Sequence, residues 1–299
     1  MISALFYGYK ISIDVLIDMK QFNNKNKKDK SSNLSVAIGI ILIIGGVLST
    51  VSPFNSILSY AFQKDYTEYD NNKAIKVLFI GNSYTSTHPL DILLMKISLS
   101  QKNQYYHVYS ESNTQGGYTL SKHWNNGSAL NDINKKKWNY VVLQGQSGMP
   151  LIGKNRSAFL KNAKKFDKEI KRSGARTVFF ATWPYQNSKT ANRLIKGNIP
   201  TDYNTHYRGI QSIYGKAAKT LNASAVYSAP LRHTAPKDIN LYKEDGSHPS
   251  LAGSYLVALA FYKHLFSITK FDENTYIPSD LDKSVGKRLI KHVEDFGKK

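Results

Sequence analysis

"VLFIGNSYT", Val77 to Thr85, sets an apolar run with strand character directly against Gly81-Asn82-Ser83. The stretch that follows, "STHPLDILLMKI" from Ser86 to Ile97, has helical spacing. A strand that ends in a glycine, an amide and a serine just before a helix puts a hydroxyl at the helix's positive end. On this stretch alone two readings of Ser83 stay open. It caps the helix, as serine often does, or it is a nucleophile that needs a base within hydrogen-bond reach.

Outward from Ser83 the chain beyond Lys64 alternates apolar and amphipathic runs. The pattern predicts strands at Lys76 to Ile80, Tyr105 to Ser110, Tyr140 to Leu143, Thr177 to Thr182 and Ala223 to Tyr227. It predicts helices at Pro89 to Ser100, Arg156 to Arg172, Tyr203 to Leu221, Leu251 to Phe266 and Ser284 to Phe296. Strands separated by helices of this length imply an α/β fold: one three-layer α/β/α domain over residues 64–299 with a mainly parallel sheet. Ligand sites in such sheets form beyond the carboxyl ends of the strands. Those ends read "GNSYT", "ESNTQGGYT", "QGQSG", "TWPYQN" and "YSAPLRH".

Near the C-terminus, "YKEDGSHPSLAGSYLVALAFY" (Tyr242 to Tyr262) places Asp245 and His248 three residues apart across Gly and Ser. A tight turn there lets the carboxylate meet one ring nitrogen, which sets the imidazole tautomer and leaves the other nitrogen as a base. The plainer reading is an aspartate that caps a turn beside a surface histidine.

Together the two stretches resemble the SGNH, or GDSL-like, esterase superfamily, over roughly Lys76 to Leu265. In that family an early Gly-x-Ser supplies the nucleophile and a late Asp-x-x-His the other two triad members. The resemblance implies a flavodoxin-like sheet and a catalytic triad of Ser83, His248 and Asp245. It also implies an oxyanion hole, because a tetrahedral intermediate concentrates charge on one oxygen. Its donors would be the Ser83 N–H and a glycine of "GGYT", Gly117 with Gly116 beside it. The third donor departs from the usual pattern: "QGQSG" has no asparagine. It is similar to the Gln-Gly-x-Ser block of carbohydrate acetylesterases, in which a glutamine amide donates, so Gln144 is preferred and Gln146 is the alternative; the plainer reading has both amides bonding backbone in the loop. Asn82, Gly116 and Trp183 are candidates for the pocket, the tryptophan either as an apolar or sugar-stacking wall or, as is commoner at a strand end, as plain packing; Arg232 and His233 are candidates for further lining. No spacing suggests a metal site, and no dinucleotide or phosphate-loop fingerprint is present, so no cofactor is expected.

Composition bounds the rest. The chain has 299 residues and no cysteine, which removes disulfides, thiol nucleophiles and cysteine-ligated metals. The net charge is +20, and only six lysines and three aspartates precede Lys64, so the globular part is itself basic. A field of that sign favours polyanions, whether nucleic acid, anionic lipid headgroups or an anionic wall polymer, and the plainer reading is a solubility or genome-composition effect; no basic-aromatic motif points to nucleic acid. Leu34 to Phe54 is long and apolar enough for a membrane span, preceded by "KNKKDK" (Lys25 to Lys30), which the positive-inside rule keeps in the cytosol. The expected order is a basic cytoplasmic segment 1–30, an anchor and linker 31–63, and an extracytoplasmic domain 64–299. A cleaved signal peptide with small residues at Ser59-Tyr60-Ala61 is the rival reading, and Met19-Lys20 would make a more ordinary signal start. The expected function is a membrane-anchored serine esterase removing O-acetyl groups from a carbohydrate or surface polymer. An O-acetyltransferase using the same triad and an inactive basic wall-binding module are the alternatives.

Overall fold

The computed structural model describes residues 74–102, 107–194 and 202–298. The expected basic segment, anchor and linker up to residue 63 lie outside the described residues. Among the described residues no helix is long and apolar enough to cross a membrane.

The apolar run around Val77 forms β1 (Ile75–Gly81), with Val77 to Ile80 fully buried. Burial on both faces is what a continuous apolar run in a parallel sheet requires. β2 (Val108–Thr114) pairs with one side of β1 and β3 (Tyr140–Leu143) with the other. β4 (Arg176–Ala181) and β5 (Ser224–Tyr227) extend the sheet beyond β3. All pairings are parallel, in the order β2-β1-β3-β4-β5. The chain thus builds one edge from β1 and then returns to build the other from β3. At such a reversal a crevice opens beyond the carboxyl ends of the two strands.

α1 (Ser83–Ser86) and α2 (Leu90–Leu99) follow β1, and α3 (Leu120–Asn126) and α4 (Ser128–Lys135) follow β2. α5 (Gly153–Arg172) follows β3, while α6 (Ser188–Leu194) and α7 (Tyr203–Leu221) follow β4. α8 (Ser228–Thr234), α9 (Leu251–Phe266) and α10 (Lys283–Asp295) complete the domain. On one face of the sheet Val77, Phe79, Val178 and Phe180 pack with Leu94 of α2, Phe261 of α9 and Leu289 of α10. On the other, Leu78, Ile80, Val141 and Phe179 pack with Ile133 of α4, Phe166 of α5 and Ile213 of α7. Alternate residues of β1 serve opposite helix layers, as a period of two demands. The result is the expected three-layer α/β/α arrangement.

Two differences from the sequence reading have physical causes. β2 lies further along than Tyr105 to Ser110 and takes in the polar "ESNT", because an edge strand has one side free of the sheet and needs less apolar surface. α3 and α4 were not expected; Gly127, at a left-handed φ of 81°, divides them into pieces too short for a clear helical period.

Asp91, in the first turn of α2, is buried at 1% exposure. Burial pushes its carboxyl up to about 6, and neither carboxylate oxygen has a hydrogen-bond partner among the described residues. Its folded value lies above the ordinary 3.8, so the ionised form is the disfavoured one. The cost is absent well below pH 4, grows as pH rises toward 6 and is complete above it. Asp91→Asn should therefore gain on the native chain by on the order of 3 kcal/mol between pH 3.5 and pH 8 in denaturant titrations. A constant difference across that range would contradict a buried, ionising Asp91.

Candidate active site

The crevice between β1 and β3 is closed by one side chain. Gln144, the first residue after β3, accepts the Asn82 N–H at 2.9 Å and the Thr85 hydroxyl at 3.0 Å through Oε1. Its Nε2 donates to Asn82 Oδ1 at 2.9 Å and to the Gly145 carbonyl at 2.6 Å. The backbone N–H of Asn82 fixes which end of the amide is oxygen. This network explains the glycine at the end of β1: a Cβ at Gly81 would lie 2.5 Å from Gln144 Oε1 and 2.7 Å from Thr85 Oγ1.

Asn82 is 2% exposed and caps α1, its Oδ1 accepting the Tyr84 N–H at 3.1 Å. Its Nδ2 reaches across to the Tyr118 carbonyl at 3.0 Å. The amide therefore braces the loop and does not line a pocket. Ser83 becomes the first residue of α1, where its N–H has no intrahelical acceptor. No hydrogen bond from that N–H to another described residue is present.

The second half of the site is the loop from Leu241 to Ser250. Asp245 Oδ1 accepts the backbone N–H groups of Ser247 at 2.8 Å and His248 at 2.9 Å, a closed turn made by its own side chain. Gly246 adopts φ 68° inside it, and a Cβ there would meet Thr190 Oγ1 at 2.6 Å. The remaining oxygen, Oδ2, lies 2.5 Å from His248 Nδ1, and His248 Nε2 lies 2.8 Å from Ser83 Oγ. With Nδ1 donating to the carboxylate, Nε2 is left to accept the Ser83 hydroxyl proton. Burial pulls the Asp245 carboxyl up, but the His248 contact and the two backbone N–H groups outweigh it and hold the group below its ordinary value. It is a carboxylate at neutral pH. Ser83, His248 and Asp245, 165 residues apart at their extremes, are thus in one hydrogen-bonded line.

Four stacked side chains hold the two halves together. Tyr84 lies flat on Trp183 with ring centroids 4.5 Å apart, and the Arg232 guanidinium lies 4.1 Å from the Trp183 ring and 4.5 Å from that of Tyr242. Each layer also grips the histidine loop or its flank. Tyr84 OH meets Ser247 Oγ at 2.7 Å, Trp183 Nε1 donates to the Ser247 carbonyl at 3.1 Å, and Arg232 Nη2 donates to the Leu241 carbonyl at 2.7 Å. Tyr242 OH donates to the Pro184 carbonyl at 2.8 Å. Trp183 has no exposed surface and Arg232 only 6%. The expected stacking wall is therefore a buried support, and Arg232 is part of it; His233 is exposed and packs beside Tyr203 and Tyr207 instead. Tyr84 and Ser247 carry this support without any sequence signal beyond standing next to Ser83 and His248.

The turn from Gln115 to Tyr118 borders the same loop. Gln115 N–H donates to the Gly81 carbonyl at 3.3 Å, and Gly117 takes φ 67°, with both Gly116 and Gly117 exposed. The expectation that Gln144 donates to a substrate oxygen does not fit its contacts, since both Nε2 hydrogens are taken. Gln146 is half-buried; its Oε1 accepts the Gly148 N–H at 2.8 Å, and its Nε2 has a long 3.3 Å contact to Ser147 Oγ. Among the described residues no group of three His, Asp or Glu side chains is placed to hold a metal ion.

No protein-family model and no curated protein matches the chain. Solved structures do. A protein from Slackia heliotrinireducens inferred to be an SGNH hydrolase aligns at 24% identity over 64% of this chain and 99% of its own, with a TM-score of 0.55. A DUF4886 family protein from Bacteroides uniformis aligns at 19% identity over 74% of this chain and 94% of its own, with a TM-score of 0.58. An acetylxylan esterase from Geobacillus stearothermophilus aligns at 14% identity over 64% and 93%, with a TM-score of 0.50. The chain has the fold of the SGNH hydrolases.

Gln144→Ala separates bracing from donation. Leaving the buried Asn82 N–H unpartnered should cost about 1–3 kcal/mol in a urea titration. A variant of unchanged stability that loses only turnover would instead make Gln144 a donor to the reacting oxygen.

Proposed function

We propose that the chain is a serine ester hydrolase, held outside the cytoplasmic membrane by the segment Leu34 to Phe54, that removes O-acetyl groups from a carbohydrate or surface polymer. The observation that carries the reading is the line Ser83 Oγ, His248 Nε2, His248 Nδ1, Asp245 Oδ2, with contacts of 2.8 and 2.5 Å. His248 takes the proton as Ser83 attacks the ester carbonyl, and Asp245 holds the ring and balances the imidazolium that forms. The imidazolium then returns the proton to the leaving alcohol. Water, activated by the same His248, releases the acyl group and restores Ser83.

The charge that develops on the carbonyl oxygen needs donors already in place. The unpartnered Ser83 N–H is one. Gly117 is the second, because its turn is tied to the nucleophile loop through Asn82 and Gly81. Gln146 is the glutamine left to serve as the third, and each such donor is worth on the order of 3 kcal/mol of barrier. The acetyl group and carbohydrate are supported by the similarity of "QGQSG" to the acetylesterase block and by a fold shared with an acetylxylan esterase.

The test is acetyl release from 4-nitrophenyl acetate and acetylated xylooligosaccharides by the full-length chain in non-ionic detergent. Ser83→Ala and His248→Ala, each verified as folded, should each lose at least about 10³-fold in kcat/KM, and the double variant should lose little more. Rates within a few-fold of the native chain in both variants would remove the triad assignment.

A further inference from the structure

The charge of the domain is unevenly placed. α5 carries eight Lys and Arg residues against two acidic ones, and its neighbour α7 carries three against none. The three long helices on the opposite side of the sheet, α2, α9 and α10, together carry six against three. Both acidic side chains of α5 are already engaged: Asp167 is buried and held by Thr177 and Lys171, and Glu169 pairs with Arg172. Lys154, Lys161, Lys164 and Lys168 of α5 and Lys216 and Lys219 of α7 are exposed. None of the six has a carboxylate within 4.0 Å among the described residues.

Spacing turns these charges into a row. Lys154, Lys161, Lys164 and Lys168 recur at intervals of seven, three and four, which puts them on one face of the helix. They extend over about 21 Å of helix axis. The row begins next to the short 3-10 turn (Met149–Leu151) that follows "QGQSG", so its first lysine stands at the site end of the sheet and its last toward the opposite end. Nothing converges on one point, as a pocket for a single small anion requires.

We infer that the outer face of α5, with the adjoining lysines of α7, is a docking surface for a linear polyanion. Unpaired cations on a surface bind such a chain by displacing its condensed counterions, and that binding weakens steeply with salt. A polymer seated along this row has one end of its path at the end of the sheet that carries Ser83. An anionic bilayer is the less suitable occupant. Stable interfacial helices add an apolar face to their cations, and the large apolar side chains exposed among the described residues, Leu194 and Phe296, are on neither helix. The inference does not rest on the hydrolase reading and is tested in a chain whose nucleophile is removed.

The experiment measures binding of inorganic polyphosphate to full-length Ser83→Ala in non-ionic detergent at several salt concentrations. Two further variants carry the same loss of charge: Lys161→Gln, Lys164→Gln and Lys168→Gln on α5, and Lys283→Gln, Lys287→Gln and Lys291→Gln on α10. All six positions are exposed, and melting temperatures confirm that the fold is kept. The α5 variant should bind at least tenfold more weakly, with the slope of log K against log salt reduced by about 2, near 0.7 per cation. The α10 variant should change less than threefold. Equal weakening in both variants would overturn the inference by making binding a matter of net charge alone. Absence of binding, or binding to vesicles of anionic lipid that exceeds binding to polyphosphate, would also overturn it.

Discussion

The amide of Gln144, seated over Gly81, joins the two strands between which the sheet order reverses. Its oxygen satisfies the Asn82 N–H and its nitrogen satisfies Asn82 Oδ1, so the end of β1 and the end of β3 become one rigid corner. Each neighbouring feature follows from that corner. Gly81 is a glycine because the amide occupies the space a Cβ needs. Asn82 is held in the extended conformation that starts α1, and Ser83 is thereby delivered with its N–H free and its hydroxyl directed to His248.

The histidine loop meets this corner through stacked rings. Tyr84 belongs to α1, Trp183 to the loop after β4 and Arg232 to α8, and all three hydrogen-bond to the chain between Leu241 and Ser247. A buried guanidinium without a carboxylate is costly in isolation. Here two aromatic faces lie against it, and the attraction of a cation to an aromatic face offsets part of that cost. Burial lowers the Arg232 value from its ordinary range, yet an arginine stays charged under any condition in which the protein folds. The support is therefore indifferent to pH.

What could be read from the chain and what could not divide along physical lines. β1, β3 and β4 were legible because buried parallel strands are continuous apolar runs, and α9 because its apolar residues persist for four turns behind "DGSHPS". The members of the Ser83, Asp245 and His248 line were legible because each sits where backbone direction changes, which demands recognisable residue types: glycine, an amide, a short turn. β2 extends beyond the expected Ser110 because its second half, "ESNT", is polar and carries no apolar signature. Two readings of Trp183, Arg232 and Gln144 stay open in the sequence for a common reason. Polar and aromatic residues at strand ends serve equally well as pocket walls or as buried braces, and only three-dimensional packing separates the two. Tyr84 and Ser247 left no trace at all, since their importance is a contact between residues 163 positions apart.

The most direct test of the account is covalent labelling of the full-length native chain by a serine-reactive fluorophosphonate, with the modified peptide identified by mass spectrometry. The account predicts a single label on Ser83 that forms at least a hundredfold more slowly in folded His248→Ala, because an unassisted hydroxyl is a poor nucleophile. A folded native chain that takes no label, or takes it at another serine, would contradict the central claim that this corner of the sheet exists to activate Ser83.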